Sequence, residues 1–204
     1  MVANIGKTGI YFTSKLAPNL KLLAFEPDPE NFKLQRINLI LNDMESAATL
    51  VNCGLGDKFD EMTMYRNLQN PSGNGVIPYE GNMPTETIKI MPLDDYLVEN
   101  KIPASEVKYI WIDTEGFEPQ VLLGAKNLLS ENPAPIFMEC NLKAWDESGL
   151  FEDMLALLAE SYSHFIYVQS DETIYPLDTL RTIKRPNTPF GQIGDIFLIR
   201  KGQI

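Results

Sequence analysis

The sequence predicts a layered α/β domain built around a mostly parallel β-sheet. Three short apolar runs, 22–26, 109–113 and 135–139, each end on a carboxylate: Glu26, Asp113 and Glu139. Continuous apolar runs of this length are typical of strands that helices cover on both faces. Strand-like and helix-like segments also alternate along the chain, as they do in α/β proteins. These observations indicate helices packed against a sheet whose strands end in acids.

The first quarter of the chain contains two predicted helices and two predicted strands. A helix is expected over residues 7–17, and a strand over 20–26 follows it. Asp28 and Pro29 match a helix start, because Asp caps a first turn and Pro suits the first helical position. The buried face of this second helix is expected to be its apolar stripe, which comprises Leu34, Ile37, Ile40 and Leu41. The next strand is expected over 48–53.

The middle of the chain interrupts the alternation and predicts an inserted hairpin and loop at about 59–92. Residues 62–65 and 87–90 alternate between polar and apolar side chains, which favours an antiparallel pair. The connection between them, 67–84, is rich in Asn, Gly and Pro, and loops of this length are usually functional or mobile. Neither a domain boundary nor an internal repeat is evident, so residues 1–204 are expected to form one domain.

The second half returns to alternating elements. The expected elements, in chain order, are helix 93–100, strand 107–113, a helix from 119 to 132, strand 135–140, helix 150–161, strand 165–169 and final strand 195–200. Residues 170–194 are expected to be irregular. They hold the one basic cluster, Arg181, Lys184 and Arg185, for which a solvated surface is the favoured interpretation.

The three strand-ending acids are the first candidates for a functional site. Ligands of open α/β sheets bind beyond the carboxyl ends of the strands. Glu26, Asp113 and Glu139 are therefore expected on one rim of the sheet, where a cation or a ligand rich in hydroxyl and amine groups would satisfy them. Each acid taken alone could equally cap the helix or loop that follows it.

Composition excludes several classes of function. The net charge of −11, from 17 basic and 28 acidic residues, argues against a nucleic-acid partner, which demands a basic face. No apolar run is long enough to span a membrane, and no secretory signal is recognisable. Cys53 and Cys140 are expected to be reduced core thiols, which favours a cytoplasmic location. The single histidine, His164, weakens any catalytic triad.

A phosphate-binding loop is one interpretation of the N-terminal segment. Gly6, Lys7 and Thr8 match the end of that motif. However, the motif needs a glycine where this chain has Met1, and it needs a preceding strand. A P-loop nucleotide-binding protein is therefore the weakest of the functional alternatives.

The order of several other motifs resembles the FkbM family of methyltransferases dependent on S-adenosylmethionine. The motifs that carry the resemblance are residues 3–6 (ANIG), 24–27 (AFEP), 54–57 (GLGD), 92–95 (PLDD), 112–118 (IDTEGFE) and 123–125 (LGA), and the strand ending in Glu139. The resemblance implies a Rossmann-like methyltransferase sandwich with an antiparallel final strand. It also implies transfer of a methyl group, usually to a hydroxyl of a sugar or natural-product small molecule.

The resemblance also implies roles for particular residues. Asn4 and Gly6 form the turn toward the methionine part of the cofactor, Glu26 binds the ribose hydroxyls, and Asp57 lies near the adenine. Asp113 is expected beside the sulfonium, where it could bind the methionine ammonium, hold a metal or accept the acceptor's proton. Glu115 and Glu139 are its expected catalytic neighbours. Segments 67–84 and 170–194 are the candidates for covering the acceptor.

The N-terminal end departs from the family pattern. In the family a strand precedes the glycine turn and supplies an acid and a first glycine, whereas here Val2 stands in that glycine's place. The chain is therefore expected to be N-terminally truncated, without the central first strand and with no other segment in its place. A truncated, inactive methyltransferase-like binding or interaction module is the alternative function. The metal requirement and the oligomeric state are not predicted.

Overall fold

A computed structural model describes residues 4–16, 19–67, 73–77, 84–168, 173–183 and 193–204. The predicted basic residues Lys184 and Arg185, and most of the two segments expected to cover the acceptor, lie outside these ranges. Backbone contacts divide the chain into two compact units. The first comprises Met1–Leu55 and Phe59–Met91, and the second comprises Gly56–Lys58 and Pro92–Ile204. The assignment of the whole chain to a single domain stays a prediction.

The described residues of the first unit form two α-helices and five strands. They are α1 (Lys7–Tyr11), which continues as a π-helical turn (Phe12–Leu16), α2 (Pro29–Leu41), β1 (Leu22–Phe25), β2 (Ala48–Val51), β3 (Gly54–Leu55), β4 (Asp60–Tyr65) and β5 (Thr85–Met91). Strand β1 pairs in parallel with β2, while β5 pairs in parallel with β3 and antiparallel with β4. The β4–β5 pairing confirms the predicted hairpin, with Met62 opposite Ile88.

Helix α2 begins as predicted but presents a different face to the interior. The Asp28 carboxylate accepts a hydrogen bond from the Glu30 amide at 2.8 Å, and Pro29 occupies the first helical position. The predicted buried stripe was wrong, because its four residues are 45–75 % exposed: Leu34, Ile37, Ile40 and Leu41. The buried residues of the helix are Asn31, Gln35 and Leu39. The cap and the packing of Gln35 against the N-terminal turn set this rotation, and apolar spacing alone did not reveal it.

In the second unit, the part of the chain that the structure describes forms five α-helices and one five-stranded sheet. They are α3 (Leu93–Glu99), α4 (Glu118–Leu123), α5 (Lys126–Glu131), α6 (Leu142–Ser148), α7 (Phe151–Ser161), β6 (Ile110–Ile112), β7 (Ile136–Asn141), β8 (Tyr162–Tyr167), β9 (Ile174–Pro176) and β10 (Ile193–Arg200). The strand order is β6-β7-β10-β8-β9. Strand β6 runs parallel to β7, whereas β10 is antiparallel to both of its neighbours, as predicted for the final strand.

Several details of the sheets correct the sequence-based prediction. The α/β class is confirmed, but β1 and β6 lie in separate sheets, so Glu26 and Asp113 do not follow strands of one sheet. Among the described strands none pairs with the free edge of β1 or of β6. That no other segment replaces the first strand stays a prediction. Because β4, β8, β9 and β10 pair antiparallel, the sheets are mixed, with fewer parallel pairings than predicted.

The predicted helix over 119–132 is divided into α4 and α5. Gly124 lies at the division, where a Cβ atom would come within 1.9 Å of the Gly56 carbonyl oxygen. The close approach of the two backbones leaves no room for a side chain. Helix α6 and strand β9 were not predicted, because their residues show no clear periodicity.

One face of the five-stranded sheet forms the core of the second unit. Helices α4, α5 and α7 pack together, with α4 against β7 and α7 against β8. The fully buried core side chains of this unit include Leu122, Ile136, Met138, Trp145, Met154, Leu158, Phe165 and Ile196. On the other face of the sheet, Trp111 stacks on Phe137 with ring centroids 4.0 Å apart. Among the described helices, none is long and apolar enough to cross a membrane.

Candidate functional site

Three adjacent strands of the second unit bring acids side by side. Ile112 pairs with Met138 in the parallel β6–β7 register, so Asp113, the next residue, lies level with Glu139. Glu139 in turn pairs with Asp195 across the antiparallel β7–β10 register. Because side chains at the same level of neighbouring strands share a face of the sheet, the three carboxylates form a row.

A fourth acid joins this row from the turn after β6. Carboxylate oxygens of Asp113, Glu115 and Glu139 all lie within 4.8 Å of one another. Glu115 has a φ of +53° and Gly116 a φ of +97°, so two successive residues adopt left-handed backbone conformations. This local geometry turns the Glu115 side chain toward the row. The four residues Asp113, Glu115, Glu139 and Asp195 are called the acid cluster below.

The surroundings of the acid cluster raise the pKa values of its carboxyl groups, because several negative charges would lie close together. Asp113 is exposed to solvent on one side, but partial desolvation, followed by the charges of Glu118 and Asp195, raises its pKa to about 6. Burial and the charges of Asp113 and Glu118 raise the pKa of Glu115 to about 7. Burial, then the four surrounding acids, raises the pKa of Glu139 to about 9. Burial and mutual repulsion thus favour the protonated forms of Glu115 and Glu139 near neutral pH.

This arrangement favours binding of a cation or acceptance of a proton. Carboxylate oxygens are the ligands that Mg²⁺ and Ca²⁺ prefer, and they also bind ammonium groups. A buried oxygen of Glu139, Oε2, makes no hydrogen bond to the described residues. A hydroxyl placed against the cluster could donate its proton to such an oxygen. The structure therefore leaves open the same three roles for Asp113 that the sequence did: ammonium ligand, metal ligand or base.

Glu118 organises the turn that carries the cluster. Its side chain has 0 % exposure, and its Oε1 accepts hydrogen bonds from the Thr114 amide at 2.8 Å and the Thr114 hydroxyl at 2.6 Å. The Gly116 amide donates to the same oxygen at 3.3 Å. The side chain thus binds back onto the preceding turn, and Phe117 occupies the N-cap position of α4 without a side-chain hydrogen bond.

The first unit brings together the residues expected around the ribose and the glycine turn. Glu26 follows β1 and is 2 % exposed, and its Oε1 accepts a hydrogen bond from the Asp28 amide at 2.9 Å. Its Oε2 is buried and has no partner among the described residues. Burial raises the pKa of Glu26 to about 7, although nearby groups, including the Asn4 backbone amide and the Asn31 side chain, act in the opposite direction.

The Asn4–Gly6 turn has a left-handed backbone conformation at both of its ends. Asn4 has a φ of +45° and Gly6 a φ of +83°, a region that strongly favours glycine. A Cβ atom on Gly6 would lie 2.9 Å from the Cγ of Gln35. Both polar atoms of the fully buried Gln35 side chain lack hydrogen-bond partners among the described residues. The buried Oε2 of Glu26, which accepts no hydrogen bond from the described residues, fits a ligand that offers hydroxyl donors, as a ribose does.

The structure thus groups most of the predicted site residues, though in two separate sets. Asp113, Glu115 and Glu139 form one set, and Asn4, Gly6 and Glu26 form the other. Asp57 belongs to neither; it is exposed in the turn after β3.

Sequence reasoning missed Asp195, and it missed the role of Glu118. Asp195 stood at the start of the predicted final strand, but one sequence does not reveal which strand that residue pairs with. Glu118 lies within the motif at 112–118, so its position was noticed, whereas its hydrogen-bond partners were not.

Comparisons with known proteins identify the family of this chain. A curated relative, "Methyltransferase sdnD" from Sordaria araneosa, is 26 % identical over 187 residues, covering 78 % of this chain and 70 % of its own length. The crystal structure of methyltransferase FkbM from Methylobacillus flagellatus KT superposes with a TM-score of 0.59 at 17 % identity, which shows a common fold. That match covers 97 % of this chain, which spans 41 % of the solved chain. Residues 1–165 match the Methyltransferase FkbM domain, and the chain therefore belongs to the FkbM methyltransferase family.

Proposed function

We propose that this protein transfers the methyl group of S-adenosylmethionine to a hydroxyl of a sugar or natural-product small molecule. Membership of a methyltransferase family supports methyl transfer. The observation that carries the choice of an oxygen acceptor is the acid cluster, in which carboxylate oxygens of three residues lie within 4.8 Å. An oxygen acceptor must lose a proton during transfer, and these carboxylates are groups that can accept it or bind the acceptor.

The residues of the first unit would hold the cofactor. The unpartnered Oε2 of Glu26 would accept hydrogen bonds from the ribose hydroxyls, and the turn at Asn4 and Gly6 would lie against the methionine end. Asp57 remains the candidate for contact with the adenosine part. The cofactor, when bound, supplies an activated methyl group, so alignment of the acceptor provides most of the acceleration.

The second unit would hold and deprotonate the acceptor. Asp113 is the first candidate for the base because it directly follows β6 and lies within the cluster. Glu139 and Glu115 would share the proton or bind the acceptor's hydroxyl groups. The same three acids would be the ligands if a divalent cation took part, and such a cation would lower the pKa of a bound hydroxyl. The acceptor is proposed to be a small molecule, and a cytoplasmic location remains a prediction.

Cofactor binding tests the first part of this proposal. Calorimetric titration with S-adenosylmethionine should show binding that Glu26→Ala weakens by about 1–3 kcal/mol, because the ribose hydroxyls would lose their acceptor. Glu30→Gln, which alters an exposed acid on α2, is the matched control and should bind like the wild type. An unchanged dissociation constant in the Glu26 variant would remove this residue from the cofactor site.

Turnover tests the second part. Release of S-adenosylhomocysteine would be followed with a panel of sugars and hydroxylated natural products. Asp113→Asn is expected to abolish nearly all turnover while the circular dichroism spectrum stays unchanged, and Asp153→Asn, an exposed acid on α7, is the control. Turnover of the Asp113 variant within twofold of the wild type would refute its catalytic role. Cofactor binding with no turnover on any acceptor would favour the alternative function, a binding module.

A further inference from the structure

The hydrogen bonds of Glu118 continue beyond the turn to a second helix. Its Oε1 binds the turn, as described above, and its Oε2 accepts a hydrogen bond from the indole Nε1 of Trp145 on α6 at 2.7 Å. We propose that the Glu118–Trp145 pair is a positioning device that fixes the turn at 113–117 in the shape that presents Asp113 and Glu115. The effect of the pair on turnover rests on the proposed function, whereas the hydrogen bonds of the pair are independent of that function.

The surroundings of the Glu118 side chain require a group that accepts hydrogen bonds and donates none. Four donors converge on the Glu118 carboxylate: the Thr114 amide, the Thr114 hydroxyl, the Gly116 amide and the Trp145 indole. An ionised carboxylate accepts from all of them, whereas the carboxamide of Gln would set its own N–H groups against at least one donor. Aspartate would be too short to keep the same reach.

The turn needs such support for two reasons. Glu115 and Gly116 both adopt positive φ angles, and for Glu115 this conformation is intrinsically unfavourable. In addition, Asp113 and Glu115 lie close to Glu139, so charge repulsion favours movement of the turn away from β7. The bonds to Thr114 and Gly116 oppose both tendencies.

Trp145 is itself firmly held, which makes it a suitable anchor. Its side chain is fully buried, and its ring lies 5.6 Å from the ring of Phe151 at the start of α7. The guanidinium of Arg181 lies 5.1 Å from the same Phe151 ring and forms ion pairs with Asp146 and Glu152. Two neighbouring residues of α6, Trp145 and Asp146, are thus held by contacts with Phe151 and Arg181. The turn is therefore anchored to a rigid part of the second unit.

The experiment compares Glu118→Gln, Trp145→Phe and the double variant with the wild type. Hydrogen exchange of the Thr114 and Gly116 amides reports the order of the turn. The Leu129 amide of α5, which bonds to the Ala125 carbonyl at 2.9 Å outside the turn, serves as an internal reference. Each single variant is expected to speed exchange at Thr114 about tenfold or more, the effect of losing a hydrogen bond to a charged group. The double variant is expected to exchange at about the rate of Trp145→Phe, because removing the indole N–H also removes the donor that the Gln carboxamide opposes, while the anchor is already lost.

A matched control separates this role from a general loss of stability. Tyr162→Phe also removes one buried hydrogen bond of the second unit, from its hydroxyl to the Ala134 carbonyl at 2.6 Å. It should leave exchange at Thr114 within twofold of the wild type. In turnover assays the two single variants should lower kcat about tenfold, with the KM for S-adenosylmethionine changed less than twofold.

The hydrogen-exchange measurement and the turnover assay test separate claims. Exchange at Thr114 within twofold of the wild type in both single variants would overturn the inference, whatever the activity. Faster exchange with unchanged kcat would overturn the positioning role. Absence of methyl transfer by the wild-type protein would refute the proposed function instead, and the exchange measurement would still decide whether the pair holds the turn. If Glu118→Gln does not fold, Trp145→Phe carries the same test.

Discussion

Replacement of Glu26 by Gln isolates the cost of burying a charge in the first unit. Burial raises the pKa of Glu26 from 4.5 to about 7, so the folded protein keeps this proton to a higher pH than the unfolded chain does. Below pH 4.5 both states are largely protonated, and above pH 7 both are largely ionised. The stability associated with the protonated group is therefore fully present at low pH and is lost as the pH rises through 7.

The magnitude follows from the two pKa values. At about 1.4 kcal/mol per pH unit, the difference between 4.5 and about 7 corresponds to roughly 3 kcal/mol of unfolding free energy lost by pH 8. Gln has nearly the same shape as Glu, stays neutral and can still accept the hydrogen bond from the Asp28 amide. We therefore expect the stability of the Gln variant relative to the wild type to rise by about 3 kcal/mol between pH 4.5 and pH 8.

Urea unfolding without cofactor, followed by hydrogen exchange of peptides from the first unit, measures this difference. Tryptophan fluorescence is unsuitable because both tryptophans, Trp111 and Trp145, belong to the second unit. Titration of the acid cluster affects variant and wild type alike, so it cancels in the comparison. Glu30→Gln, on the exposed side of α2, is the control and should show no such rise. A stability difference for Glu26→Gln that stays constant from pH 4.5 to pH 8 would refute the reasoning.

Two further predictions concern backbone contacts and helix capping. Gly124→Ala should lower the free energy of unfolding by about 3 kcal/mol or more, because the new Cβ would lie 1.9 Å from the Gly56 carbonyl oxygen. Gly149→Ala is the control, because its new Cβ would meet no atom within 4 Å although the residue has a φ of +72°, and it should lower the free energy of unfolding by only about 1 kcal/mol. If urea titrations give the same loss of stability for both variants, the close contact between Gly124 and Gly56 is not the cause. Asp28→Ala should cost about 3 kcal/mol through loss of the α2 cap at 2.8 Å and the Arg66 ion pair at 2.9 Å. Thermal unfolding by circular dichroism would measure it, with Asp28→Asn, which keeps the cap, losing less.

Local signals in the sequence were enough to predict most elements of the fold. The apolar runs before Asp113 and Glu139 are strands, and Asp28 with Pro29 begins a helix. These features depend on neighbouring residues, so one sequence reveals them. The same signals grouped Asp113 with Glu139, because strand ends of a parallel pair lie at the same edge.

Features that depend on tertiary packing were not predictable in this way. The rotation of α2 depends on Gln35 packing against the Gly6 turn, and nothing in the apolar spacing indicates a buried glutamine. The place of Asp195 depends on β10 lying between β7 and β8, a pairing of distant segments. The division between α4 and α5 depends on the Gly56 backbone, far away in sequence. Each of these required a contact between residues that the sequence does not place together.

The register that aligns Glu139 with Asp195 also has a consequence for how the protein folds. The two residues are far apart in the chain, and contacts of long sequence separation form slowly because a large loop must close first. The β6–β7 pair, by contrast, joins closer segments, so it can form earlier. The complete cluster of carboxyl groups is therefore assembled late, when backbone pairing of β10 can already hold it. Early intermediates avoid much of the crowding of acids that raises the pKa values in the native acid cluster.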